Sequence, residues 1–299
     1  MKHNGFEVIF ETVSGSRLYG THHDGSDFDY RGICVTTLPE MVHPFQGFDQ
    51  QVETEEIDRT IYHIQKFVKL ASTGNPSIVE LGFAPQDKII TMDRRGEYLL
   101  QDMSIFLTEK DVRKSFSGYA YQQLNRIKTH RGYLLDKPKE PSRSEHGLPE
   151  APKFGLEKIN NIIHSPDEAI SPEWKEYAMK EKAYRSASEN WKKYKQWENG
   201  RNKDRAKLEA EFGYDLKHAN HLFRLLLEGE ELLRTGKIKF PLSYVGLLKE
   251  ILSGGYTYEE VIEMAERQQS KFDNCHSVLS NKVNYDKILE VYNTIIFGM

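Results

Sequence analysis

Two cysteines, Cys34 and Cys275, are all that this chain of 299 residues contains, and neither has a Cys-x-x-Cys partner. A disulfide scaffold and a cysteine-built zinc site are excluded, and free thiols suit a reducing cytosol. Long apolar runs are missing as well. None approaches the ~20 residues of a membrane span, and no basic-then-apolar stretch opens the sequence. A cytoplasmic protein with no membrane partner is expected. Excess positive charge is also absent: 41 Lys and Arg stand against 45 Asp and Glu, a net charge of −4. Contact with nucleic acid therefore has to come from a local basic patch. No internal repeat is evident.

What is present is ample for one large domain or two ordinary ones. Phe6 to Val13 is β-prone and runs into Gly15-Ser16, and Arg31 to Val35 reads as a second strand. The stretch from Glu56 begins as a third strand, then Ile61, Ile64, Val68 and Ala71 take up helical spacing. From Asp111 the pattern turns helical, with one helix through about Tyr133. The proline-rich, charged segment 136–155 reads as an exposed loop. Further helices are predicted over 172–200, 204–235, 243–252, 258–272 and 285–296. The expected fold is α+β: a small N-terminal α/β domain over residues 1–108, with a mixed sheet and flanking helices, then a larger, mainly helical domain over 109–299.

The chemistry concentrates in "GSRLYGTHHDGSDFD", residues 15 to 29. Residues two apart on a strand share a face, so Asp27 and Asp29 present both carboxylates to one side. Such a pair suits Mg²⁺, which takes oxygen ligands and shares them with phosphate and water. Two such ions ~3.5–4 Å apart can clamp an in-line phosphoryl displacement. Gly15-Ser16 falls at a strand-to-helix turn, where backbone N–H groups and a hydroxyl can cradle triphosphate oxygens. Calcium fails on spacing: counted from Asp24, the bidentate glutamate of an EF-hand would fall on Val35.

Gly15-Ser16, Gly20 and Ser26-Asp27-Phe28-Asp29 together resemble the signature of the DNA polymerase β superfamily of nucleotidyltransferases. The resemblance implies a glycine-serine turn that binds nucleotide phosphates, an Asp-x-Asp pair that binds the metals, and a third carboxylate on a neighbouring strand. The third acid lies among Glu53, Glu55, Glu56 and Asp58. Asp58 is favoured, since it falls where a β-like segment meets the next helix and precedes a Tyr62-x-x-x-Lys66-Phe67 stretch, as in one subfamily. Arg201-Asn202, Arg205-Ala206, Gly213-Tyr214-Asp215 and Lys217-His218-Ala219 also look like that subfamily, found in bacteria and phages and labelled RNA-repair-associated. Lys203 departs from it, where proline is expected.

On the helix from Tyr214, Lys217, His221 and Arg224 fall within a narrow arc at ~100° per residue, opposite Ala219, Leu222, Leu226 and Leu233. This predicts an exposed line of cations able to neutralise phosphates. A zinc reading of His218-x-x-His221 is rejected, because helical zinc pairs are spaced i, i+4. Trp191, Tyr194 and Trp197, interleaved with Lys192, Lys193 and Lys195 and followed by Arg201 and Arg205, can stack bases and hold a backbone. Helix-packing aromatics with surface lysines explain them equally.

The resulting expectation is a nucleotidyltransferase that moves NMP from an NTP to an acceptor hydroxyl and releases pyrophosphate. Asp27, Asp29 and Asp58 hold two Mg²⁺ (Mn²⁺ as substitute), with Asp58 also acting as base. Gly15, Ser16, Lys217, His221 and Arg224 bind the nucleotide, and Arg17 either joins them or makes a structural ion pair. The expected acceptor is an RNA 3′ end resembling tRNA, in bacterial or phage-infected cytoplasm. The alternatives are a protein or small-molecule hydroxyl, or a non-catalytic RNA- or partner-binding protein that retains the fold.

Overall fold

The computed structural model describes residues 2–3, 6–36, 51–54, 58–166 and 170–298. The fold is α+β, as expected. Strands β1 (Lys2–His3), β2 (Phe6–Ser14), β3 (Asp29–Val35), β4 (Gln51–Thr54), β5 (Arg59–His63) and β6 (Ile89–Met92) form one mixed sheet. Its order is β1-β2-β3-β5-β4, and β6 also pairs with β2. Only the β3–β5 pairing is parallel among the described strands.

Register decides which side chains share a face. Ser14 lies opposite Asp29 and Thr12 opposite Arg31, while Arg31 also pairs with Thr60 on β5. Directly paired residues project to the same side, so Thr12, Ser14, Asp29, Arg31 and Thr60 line one face. Glu11, Tyr30, Gly32 and Arg59 line the other, where Glu11 is buried and ion-paired with Arg59 at 2.7 Å.

Helices α1 (Gly15–Tyr19), α2 (Ile64–Ala71), α3 (Pro76–Val79), α4 (Arg94–Leu100), α5 (Glu109–Leu135), α6 (Leu156–His164), α7 (Pro172–Gly200), α8 (Lys203–Phe212), α9 (Leu216–Thr235), α10 (Val245–Leu252), α11 (Tyr258–Asn274) and α12 (Tyr285–Phe297) complete the described elements. The ends of α7 agree with the sequence reading. The single helix expected over 204–235 is instead two. Gly213 takes φ +77, and its N–H donates to the Glu209 carbonyl at 2.9 Å, which caps α8. Only glycine adopts that left-handed backbone cheaply.

The chain forms two compact units, one of Met1–Arg126 with Leu216–Met299, the other of Ile127–Asp215. This division differs from a boundary at 108/109, because α9 to α12 belong to the unit that holds the sheet. In that unit Phe10, Leu18, Ile33, Ile64, Phe67, Phe106, Phe116, Phe223 and Phe272 are buried.

In the second unit α6 was not anticipated. Ile159 and Ile162 pack on Ala178 of α7, with Phe154 and Ile170 against them. The preceding segment is also less exposed than its composition suggests. Leu148 is buried, and Arg143 forks onto Glu181 with bonds of 3.1 and 2.6 Å. No helix among the described residues is long and apolar enough to cross a membrane.

Candidate active site

β2 runs directly into α1 because Gly15 takes φ +64, a turn that costs other residues about 1–2 kcal/mol. There is a second reason for glycine. A Cβ at position 15 would lie 1.9 Å from Asp29 Oδ2 and 2.9 Å from its Cγ. The carboxyl occupies the space that a side chain would need. The other end of α1 is closed by Gly20 and Thr21, whose N–H groups donate to the Ser16 carbonyl at 3.0 and 2.9 Å. Gly15 and Ser16 thus stand at the strand-to-helix turn that their spacing predicts.

Asp29 opens β3, and Asp58 immediately precedes β5. The Asp58 carbonyl accepts from the Tyr30 N–H at 2.7 Å, which fixes the start of β5 against the start of β3. Counting back from Thr60, alternation sets Asp58 on the face of Asp29. The electrostatics agree. The Asp29 carboxyl is held above the usual carboxylate range by burial, then by the charge of Asp58 and a hydrogen bond with it. Asp27 adds to the rise and Arg31 opposes it. Asp29 and Asp58 are thus close enough for their charges to oppose each other.

Three acids gather here, with Asp27 and Asp58 exposed and Asp29 half-buried. Their mutual repulsion is the kind that a divalent cation relieves, and an all-oxygen donor set suits Mg²⁺ or Mn²⁺. The donor set fits the expected metal. Of the other third-acid candidates, Glu53 lies on β4, while Glu55 and Glu56 fall outside the described residues.

Arg17, on α1, reaches back to the acidic loop. Its Nη2 donates to the Ser26 carbonyl at 2.8 Å and its Nε to the Asp27 carbonyl at 3.2 Å. Its guanidinium lies 3.7 Å over the Phe28 ring, and that ring stacks on Tyr30 at 6.2 Å. The structural role of Arg17 takes the form of bonds to two carbonyls rather than an ion pair. These bonds tie the glycine-serine turn to the Asp-x-Asp backbone.

On α9, Lys217 is exposed and His221 half-buried. The exposure expected for Arg224 is corrected by the structure: it is only 5% exposed. Its Nη1 donates to Glu80, and to Glu228 at 2.8 Å, and its guanidinium covers the Tyr19 ring at 4.3 Å. Tyr19 in turn donates to Glu80 at 2.7 Å. This buried network links α1, the turn after α3, and α9. It arose at a position where helical periodicity alone placed a polar side, because the carboxylate partner Glu80 lies 144 residues away. The His221 imidazole is pushed down to about 3, chiefly by burial and then by the charges of Arg224, His218, Arg126 and Arg31. His221 is therefore neutral, and it is surrounded by cations. His218 Nδ1 lies 2.8 Å from Gln123 Oε1.

Arg31 was read only as a strand residue, yet alternation from Asp29 sets it on the acids' face. Its Nη1 is buried without a hydrogen-bond partner, and so is Ser14 Oγ on the other flank of Asp29.

The basic-aromatic segment packs internally within the second unit. Trp197 meets Tyr133 and Tyr194 at 5.4 and 5.9 Å between ring centres, and Arg201 covers it at 4.1 Å. Lys193 pairs with Glu189 at 2.6 Å. Arg201 binds Glu209 at 3.0 Å and Arg205 binds Asp215 at 2.6 Å. The packing explanation holds for these residues.

Comparison with known proteins gives two matches of interest. Residues 1–136 match the RNA repair pathway DNA polymerase beta family (RlaP). Over 294 aligned residues the chain is 22% identical to an uncharacterized 38.9 kDa protein from the nrdC-mobD intergenic region of Enterobacteria phage T4, which covers 87% of each chain. No solved structure matches. Gly15, Ser16, Asp27, Asp29 and Asp58 all lie inside the matched span, so the region that carries them is similar to the RNA repair pathway DNA polymerase beta family.

Proposed function

We propose that the protein is a Mg²⁺-dependent nucleotidyltransferase that transfers NMP from an NTP to an acceptor hydroxyl, with an RNA 3′ end as acceptor. The observation that carries this is the gathering of Asp27 and Asp58 about Asp29 at the start of β3, against a glycine whose missing side chain makes room for Asp29. Asp27, Asp29 and Asp58 would hold the metal, which when bound supplies positive charge to the phosphate oxygens and to the acceptor oxygen. Gly15 and Ser16 would take the triphosphate, with Lys217 and His221 reaching it from α9. Arg17 would orient the acidic loop, and Arg224 would hold Tyr19 and α9 in place. In the transfer, the acceptor oxygen bonds to the α-phosphorus and the bond to the leaving pyrophosphate breaks. The acceptor proton passes to Asp58.

RNA is preferred as acceptor because of the family's description. One observation favours a second reading, a protein or small-molecule hydroxyl. The aromatic and basic side chains of 191–205 are occupied by one another and by acids. Incubation with each labelled NTP, Mg²⁺ and total RNA tests the proposal, with Asp27→Ala as control. Label in RNA, lost in the control, supports it. Label in protein or a small molecule favours the second reading, and no label anywhere above the control sinks both. Gel-shift with tRNA is expected to show a steep salt dependence if the acceptor is a polynucleotide.

A further inference from the structure

Between the acids and α9 the sheet presents one cation that the proposed reaction has not used. Arg31 shares a face with Asp29, two residues along β3, and sits between Thr12 and Thr60. It is half-buried, and its Nη1 is enclosed without a hydrogen-bond partner. Buried guanidinium nitrogens normally have partners. Glu80, Tyr19 and Tyr62 act on Arg31 through charge, but Glu80 is bonded to Arg224 and to the Tyr19 hydroxyl, and no hydrogen bond reaches Nη1. A second unpaired donor flanks Asp29: Ser14 Oγ, in a residue only 1% exposed, also lacks a partner. Two unsatisfied donors beside a metal-type acid cluster describe a place for anionic oxygens.

The same guanidinium acts at both ends of this face. Its charge opposes the rise of the Asp29 carboxyl and contributes to the depression of His221 on α9. Arg126, exposed on α5, acts on His221 as well. Arg31 thus lies two residues from Asp29 on the acids' face, near enough to His221 for its charge to act there. A planar guanidinium suits a polyphosphate chain, since it can give two parallel bonds to phosphate oxygens.

We infer that Arg31 is the central contact for the polyphosphate of a nucleoside triphosphate, with Arg126 and His221 at its outer end and the Asp27-Asp29-Asp58 cluster at its inner end. The inference rests on the nucleotidyltransferase reading for its choice of ligand. Arg31 would hold the pyrophosphate portion as it leaves, and it takes no proton in the transfer.

The test is calorimetric titration of the full-length, metal-free protein with inorganic tripolyphosphate, followed by NTP kinetics. Wild type is expected to bind. Arg31→Gln is expected to bind about 10–100-fold more weakly, the loss of one or two charge-assisted hydrogen bonds. Arg31→Lys should retain part of the affinity, and Asp27→Ala should bind at least as well as wild type. Should Arg31→Gln fail to fold, Arg126→Gln on the exposed helix surface is expected to weaken binding with a normal thermal transition. Equal binding by wild type, Arg31→Gln and Arg126→Gln overturns the inference. So does a 5′-phosphorylated RNA whose binding needs Arg31 while NTP binding does not. Label transfer with an unchanged KM for NTP in Arg31→Gln overturns the clamp alone. Arg31-dependent tripolyphosphate binding without any label transfer overturns the transferase reading alone.

Discussion

Asp29 Oδ2 occupies the position that a Cβ on Gly15 would crowd to 1.9 Å. The glycine-serine turn and the Asp29 carboxyl are thus one packing unit. In Gly15→Ala the added methyl meets a carboxyl at a backbone angle that itself costs about 1–2 kcal/mol. Asp29 must move, so the variant is expected to lose transfer activity and most of the Mg²⁺-induced rise in melting temperature. Calorimetry with and without Mg²⁺ reads both effects. A normal Mg²⁺ response in Gly15→Ala would show that Asp29 is not a ligand.

The raised titration of the Asp29 carboxyl predicts how stability follows pH. Asp29 titrates higher in the folded protein than in the unfolded chain, so the native state binds more protons in the window between the two values. Stability of the metal-free protein then falls as pH rises through that window. Asn at position 29 removes the repulsion. Asp29→Asn is expected to melt higher than wild type in EDTA at neutral pH, by on the order of 2–4 °C per kcal/mol relieved, while losing transfer. Added Mg²⁺ should raise the wild-type melting temperature and leave the variant's nearly unchanged.

Arg17 holds the backbone carbonyls of Ser26 and Asp27. Groups that orient metal ligands typically contribute 10- to 100-fold to affinity. Arg17→Gln should therefore need about 10–100-fold more Mg²⁺ for half-maximal activity, with KM for NTP unchanged at saturating metal. A raised NTP KM with a normal Mg²⁺ requirement would make Arg17 a phosphate contact instead.

Arg224→Met leaves Glu80 and Glu228 buried without their cation. Breaking such a pair from one side costs about 3–5 kcal/mol, measurable by urea denaturation. Glu80→Gln combined with Arg224→Met should recover part of that loss. If Arg224→Met is as stable as wild type and only NTP binding suffers, the residue is a ligand contact rather than a strut.

The local parts of the site were legible in the sequence. A two-residue spacing on a strand and a glycine-serine turn are statements about neighbours: Gly15 lies at the turn and Asp29 opens β3, while Asp27 falls in the loop just before the strand. Asp58 was also within reach, though its place differs from the one expected: it precedes β5, and the helix begins only at Ile64. Arg224 was not. Helical periodicity assigns it to the polar side, and nothing near it in the chain announces Glu80. Arg31 lay between these cases: the alternation that paired Asp27 with Asp29 also reaches Arg31 when carried one step further. The lysines of α7 could have been matched with Glu189 and Glu198 by their helical spacing. Helix α6 stayed hidden because it is short and follows a proline-rich stretch.

The pairing of Glu80 with Arg224 also sets an order of events during synthesis. The sheet, the acids and Glu80 leave the ribosome first, and the arginine that neutralises Glu80 follows 144 positions later. At roughly 5–20 residues per second, the nascent N-terminal region spends on the order of ten seconds with an orphan acid where the finished protein has an ion pair. During that interval the acids and the glycine-serine turn exist without residues 216–299, the other part of their compact unit in the finished protein.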